Sequence, residues 1–216
     1  VGAMRTRGVE INVSADVLRI QDFTWNVNAN VSYNKNEITE LYNGITEYVA
    51  SDTGRMVAVG HPLGEFYLNR YAGVNPTNGD ALWYTKDGEI TTEYNENDKV
   101  MLGKTHEAPW QGGFGTTLSW QGFSLSAQFT WVADRWMLNN DRVFQESNGL
   151  FSAYNQSKRM LYDRWKKPGD VTDIPRYGVT PQLDSRFLED ASFLRLKNLM
   201  LSYTFPQKWL QRTNFL

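Results

Sequence analysis

From Gly8 to Asn34 the sequence alternates apolar and polar residues with a period of two. Val9, Ile11, Val13, Ala15 and Val17 interleave with Glu10, Asn12, Ser14 and Asp16; Phe23, Trp25, Val27, Ala29, Val31 and Tyr33 interleave with Thr24, Asn26, Asn28, Asn30 and Ser32. That pattern describes two strands, each with one apolar and one polar face. The runs last 9 and 12 residues, longer than an ordinary strand and close to the roughly 9 to 11 residues that a tilted strand needs to cross a bilayer.

Two further stretches repeat the pattern. Phe114, Thr116, Leu118 and Trp120 alternate with polar or glycine residues, and after Gln121-Gly122 so do Phe123, Leu125, Ala127, Phe129 and Trp131. A fifth strand is expected over Ser192–Phe205, with Leu199, Leu201, Tyr203 and Phe205 sharing a face, and Thr213–Leu216 is expected to begin a sixth. The connections then measure 4 residues (Arg19–Asp22), 77, 2, 57 and 7 in turn. Outer-membrane barrels alternate short inner turns with long outer loops in this way.

Composition narrows the function classes. With no cysteine, disulfides and thiolate metal sites are excluded. A net charge of -2 offers no footprint for nucleic acid. The mean hydropathy of -0.53 does not speak against a barrel, whose strands hide apolar residues in alternation. Eight Trp, eleven Tyr and eleven Phe are many for so polar a chain, and those in the strands fall toward the two ends of the apolar phase, as interfacial girdles do.

The long connections carry turn and loop chemistry. Asn78-Gly79 and Asp87-Gly88 bracket a short strand over Ala81–Thr85, and a short helix is expected around Ser157–Trp165 before Pro168, Pro175 and Pro181. The acids and amides between 75 and 89 lack the order of a calcium loop, so turn chemistry is the preferred reading there. His61 and His106 stand outside any catalytic motif. Glu65, Asp80, Asp170 and Asp173 are read as loop charge rather than a glycosidase pair. No enzyme activity and no cofactor is expected.

Residues 188–198, LEDASFLRLKN, followed by LSYTFP over 201–206, resemble the C-terminal region of SusC/RagA-like TonB-dependent transporters of Bacteroidetes. The resemblance extends to Arg164-Trp165, to 168–176 (PGDVTDIPR), and to Gly64–Tyr67, Tyr71–Pro76 and Asn78–Asp80. It implies an outer-membrane barrel of about 22 strands closed by a plug, energised by TonB and capped by a SusD-like surface lipoprotein. The expectation is therefore an all-β fold: residues 1–216 as an antiparallel transmembrane β-barrel segment, a partial barrel of about five or six membrane strands with two long extracellular loops. Plug, TonB-contacting segment and last strands would lie elsewhere in the parent. The implied function is uptake of a glycan or peptide across the bacterial outer membrane. A soluble β-sandwich that binds glycans is the alternative.

Three groups of residues follow from the barrel reading. Val9, Ile11, Val13, Val17, Phe23, Trp25, Val27, Val31, Leu118, Trp120, Leu125, Phe129, Trp131, Leu199, Leu201 and Tyr203 would face lipid, while the asparagine phase lines a wet lumen or meets the plug. Arg5, Arg7, Lys35, Arg135, Arg195 and Lys197 extend the outward phase past the apolar band, where they are expected to meet lipopolysaccharide phosphates or pair with nearby acids. In the loops, Trp83, Tyr84, Phe151 and Tyr154 are the aromatic candidates for ligand contact, against the alternative that loop packs on loop.

Overall fold

In the computed structural model, residues 2–50, 54–151 and 153–210 are described. In chain order the strands are β1 (Ala3–Ile20), β2 (Phe23–Glu40), β3 (Glu47–Ala50), β4 (Arg55–Ala58), β5 (Glu65–Leu68), β6 (Arg70–Val74), β7 (Ala81–Tyr84), β8 (Ile90–Thr91), β9 (Val100–Thr105), β10 (Trp110–Trp120), β11 (Phe123–Ala133), β12 (Trp136–Leu138), β13 (Leu188–Asp190) and β14 (Phe193–Tyr203). The helices are short: α1 (Asn140–Gln145), α2 (Arg159–Tyr162) and α3 (Gln207–Leu210). None is long and apolar enough to cross a membrane, which leaves strand-based crossing untouched. The contacts divide the chain into two units. One holds the alternating stretches, the other residues 1–5, 36–107 and 135–191.

The alternating stretches form one antiparallel sheet in the order β1-β2-β10-β11-β14. Register makes its two faces uniform. Phe23 stands opposite Trp120, which is opposite Phe123 and then Tyr203; the next apolar row is Trp25, Leu118, Leu125 and Leu201; the next is Val27, Thr116, Ala127 and Leu199. Because every partner lies on the same side of the pleat, the apolar phases of separate strands fuse into one surface. It is uncovered, with Val9, Ile11, Val13, Leu199 and Leu201 between 52% and 71% exposed. A contiguous apolar surface of this breadth marks a face that something other than water covers. On the other face Asn26, Thr117 and Ser126 form a polar row, as do Asn28, Gly115 and Gln128.

The turns match the pleat. Gln121 and Gly122 both take positive φ (45° and 89°), as a two-residue hairpin of right-handed twist requires. Trp131 lies over Gly112, where a Cβ would stand 3.0 Å from the indole ring.

Several expectations need correction. The first turn is Gln21-Asp22 rather than Arg19–Asp22, and β1 and β2 run to 18 residues each. β2 continues through Glu40, because the apolar residue at its far end, Ile38, is buried with Leu41 and Val57 rather than alternating in the open. The helix expected over 157–165 is one turn long, and α1 was not anticipated. β10 starts at Trp110, two residues before the expected Gly112, and brings Trp110 to 4.5 Å from Tyr33, ring to ring.

The largest correction is in β14. Gln128 pairs with Asn198, but Phe129 pairs with Leu196, so Lys197 is an extra residue in a β-bulge. From there toward Phe193 the alternation changes phase. Leu196 and Leu194 join the apolar face, opposite Phe129 and Trp131, while Arg195 stands opposite Thr130 on the polar face. There its guanidinium lies 4.8 Å from the Phe193 ring centre. The sixth strand expected at 213–216 lies outside the described residues, as does the side chain of Trp209, one of the aromatics expected in an interfacial girdle.

The second unit is built from short antiparallel pieces: β3-β4-β5-β9, β6-β7-β8 and β12-β13. Phe66, Leu68 and Leu188 form its main core, with Leu102, Trp136, Leu138 and Leu183 packed around them.

Candidate functional site

Trp83 alternates inward on β7 and is 5% exposed. Its indole Nε1 donates to Asp184 Oδ2 at 2.8 Å, and Tyr71 and Tyr94 meet it edge-on at 6.2 and 5.6 Å. Asp184 is also buried and accepts from the Arg186 backbone N–H at 2.9 Å. Burial pushes its carboxyl above the usual range, against the hydrogen bond from Trp83. Burial likewise pushes the Tyr94 hydroxyl up to about 12 and raises that of Tyr71. This constellation is a loop core. Trp83 is therefore corrected from ligand contact to packing, since it is buried, its one polar atom is hydrogen-bonded and two tyrosine rings pack against it. Tyr84, half-buried, carries the Arg70 guanidinium 5.4 Å from its ring centre.

The other two aromatic candidates do come together. Phe151 lies 5.0 Å and Tyr154 5.9 Å from Phe144 of α1, and the two are 6.3 Å apart. Tyr154 is 59% exposed. Asp141, Phe144, Gln145, Tyr154 and Asn155 line a hollow of about 330 Å³ beside this cluster. Phe144, brought in by α1, completes the group.

A charged network holds α1 in place. Glu146 is fully buried and receives Arg142 through both oxygens, Nε to Oε1 and Nη2 to Oε2, each at 3.1 Å. Arg159 of α2 adds a third contact, Nη1 to Oε1 at 2.8 Å, and its Nη2 reaches both oxygens of Asp173, each at 2.7 Å. Arg142 also reaches Glu189 at 2.6 Å. For Arg142, burial disfavours the charge, but hydrogen bonds to Glu146 and Glu189 outweigh it and raise the pKa. Arg142 in turn holds Glu189 below the usual carboxylate range. A buried carboxylate survives when charged donors satisfy it on both oxygens.

The four loop acids singled out above are each engaged. Asp80 pairs with Arg176 at 2.9 Å, Asp173 with Arg159, and Asp170 accepts the backbone N–H groups of Lys166 and Lys167, which lower its pKa. Glu65 is buried, 2.9 Å from His61 Nδ1, and accepts the Gly103 N–H at 2.7 Å.

Of the six cations, one pairs with an acid, the second of the two expected arrangements, and three depart from both. Arg5 pairs with Glu37 at 3.3 Å, Arg135 donates to the His106 carbonyl, Arg195 has changed face, and Lys197 occupies the bulge. Arg7 and Lys35 are exposed and make no ion pair among the described residues.

No family model matches the chain. It is 26% identical to the TonB-dependent receptor P3 of Formosa agariphila over 99% of its own length and 23% of that protein's. It is 24% identical to the TonB-dependent receptor SusC of Bacteroides thetaiotaomicron, over 99% and 22% respectively. Superposed on the solved RagAB peptide transporter it gives a TM-score of 0.90 at 36% identity, over 96% of this chain and 24% of that one. The chain is a SusC/RagA-like barrel segment. It spans about a quarter of the length of the proteins it matches. All carry the names of receptors or transporters. The sheet is thus a stretch of antiparallel barrel wall, and the soluble sandwich is not favoured: its inner faces would be covered, whereas the apolar face here is bare.

Proposed function

We propose that residues 1–216 are the C-terminal part of the barrel of a TonB-dependent importer in the bacterial outer membrane, supplying wall, lumen lining and two outer loops. The observation that carries this reading is the continuous apolar face that register builds across β2, β10, β11 and β14, with β1 next to β2 in the same sheet. Only lipid or detergent suits so broad an uncovered surface next to a polar face of amides and hydroxyls. In this reading Val9 to Tyr203 of the apolar phase meet lipid, and the hairpin turns at 21–22 and 121–122 point to the periplasm.

The partners are those of a whole importer: the rest of the barrel, a plug, TonB acting through a segment outside this chain, and a SusD-like lipoprotein over the loops. The imported nutrient is a glycan or a peptide. Tyr84 and the cluster Phe144, Phe151 and Tyr154 are the aromatic surfaces open to it, because they remain accessible where Trp83 is not.

Fractionation of cells producing the full-length protein tests the reading. The protein should sediment with outer membranes and migrate faster on gels when unheated than when boiled. Recovery as a detergent-free soluble monomer would overturn it.

A further inference from the structure

Arg7 and Lys35 lie side by side on adjacent strands. Glu10 Oε1 and Ser32 Oγ are 3.4 Å apart across β1 and β2, and Asn26 reaches Asp16 at 3.0 Å in the same register. The Asn34 side chain fills the space that a Cβ on Gly8 would need. Three residues on from Glu10 and Ser32, that register sets Arg7 opposite Lys35, and three being odd, it sets them on the other, apolar face. They extend the line of Val9 and Tyr33, just past the point where Tyr33 and Trp110 close that face with an aromatic pair.

Two like charges directly opposite on a sheet repel. Glu37 pairs with Arg5, and a carbonyl accepts from Arg135, yet no described side chain does so for Arg7 and Lys35. From bare apolar strand to aromatic pair to unpaired cations is the order of environments met on leaving a bilayer core for its headgroups.

We propose that Arg7 and Lys35 form a binding patch for the phosphates of a membrane glycolipid headgroup, each cation making a charge-assisted hydrogen bond to the same phosphorylated head. The inference rests on the barrel reading above and goes beyond it in naming a lipid site and two of its residues. It replaces the wider set of six cations with one pair.

The full-length protein in detergent should be titrated with a diphosphorylated glycolipid of the lipid A type, with its phosphate-free counterpart and with inorganic phosphate, following thermal stability. Only the phosphorylated lipid should raise Tm. In the double variant Arg7→Gln, Lys35→Gln the apparent affinity should fall roughly tenfold or more, while Arg195→Gln, on the polar face, should leave it unchanged. An unaltered titration in the double variant, given the same heat-modifiable mobility as wild type, refutes the patch and leaves the barrel standing. An equal response to inorganic phosphate refutes the lipid assignment. If the wild-type protein does not enter membranes at all, the barrel reading fails and the patch with it.

Discussion

Trp83 and Asp184, 101 residues apart in sequence, are joined by a buried hydrogen bond of 2.8 Å. It links β7 to the turn that precedes β13, so the two long excursions fold as one loop body rather than two. Trp83→Ala removes a large buried side chain, at a cost of about 3 to 5 kcal/mol. Asp184→Ala strands the indole N–H and the Arg186 N–H, for about 1 to 3 kcal/mol each. Either change, made in the full-length protein, should speed amide exchange at both 70–84 and 184–190. Exchange that rises at only one of the two segments would show that the bond does not couple them.

The acids of this loop body respond to pH in opposite senses. Glu189 has its pKa depressed by Arg142, so its contribution is present above the unfolded carboxylate range and is lost as pH falls through its folded pKa. Asp184 has its pKa raised by burial; its cost relative to the unfolded chain builds as pH rises from the unfolded carboxylate range through that raised value and is complete above it, and protonation relieves it. Amide protection over 139–146 should therefore weaken on acidification in the native protein, and Glu189→Gln should lower it at neutral pH while flattening the acid dependence. A native-like acid limb in Glu189→Gln would assign the effect to other carboxylates.

If the apolar face meets lipid, its two sides differ sharply in what they tolerate. Val13→Arg places a guanidinium among Val27, Phe114 and Phe129 on the apolar side and should cost about 2 to 4 kcal/mol near the bilayer midplane. Asn28→Arg, on the amide face, should be far milder. The fraction of each variant assembled into outer membrane measures this. Equal losses would mean that the faces are assigned the wrong way round.

Much of the sheet was legible in the sequence because a period of two carries its own register: once Phe23, Trp120, Phe123 and Tyr203 are aligned at the turns, the rows follow. The loop body was not legible, since its cohesion comes from pairs such as Asn69 with Asp184 and Arg159 with Asp173, which no local pattern announces. Trp83 illustrates the limit. An aromatic beside Gly-containing turns reads the same whether it is exposed to a ligand or buried against a distant aspartate. Tyr154 differs from it only in what surrounds it.

The error at Arg195 is of another kind, because its signal is in the sequence. Leu194 and Leu196 share one phase, Leu199 and Leu201 the other, and a strand that keeps its leucines on one face must absorb one residue between 196 and 199. The bulge absorbs Lys197. Deleting Lys197 should therefore leave every other residue of β14 on its present face, with Leu194, Leu196, Leu199 and Leu201 still aligned and a regular ladder against β11. Deleting Leu196 instead removes an apolar partner of Phe129 and draws a lysine or arginine toward that face. Assembly of the full-length protein should survive the first deletion and fall in the second. If both deletions are equally harmful, the bulge is required for the bend it gives the strand and not merely to restore the phase of the leucines.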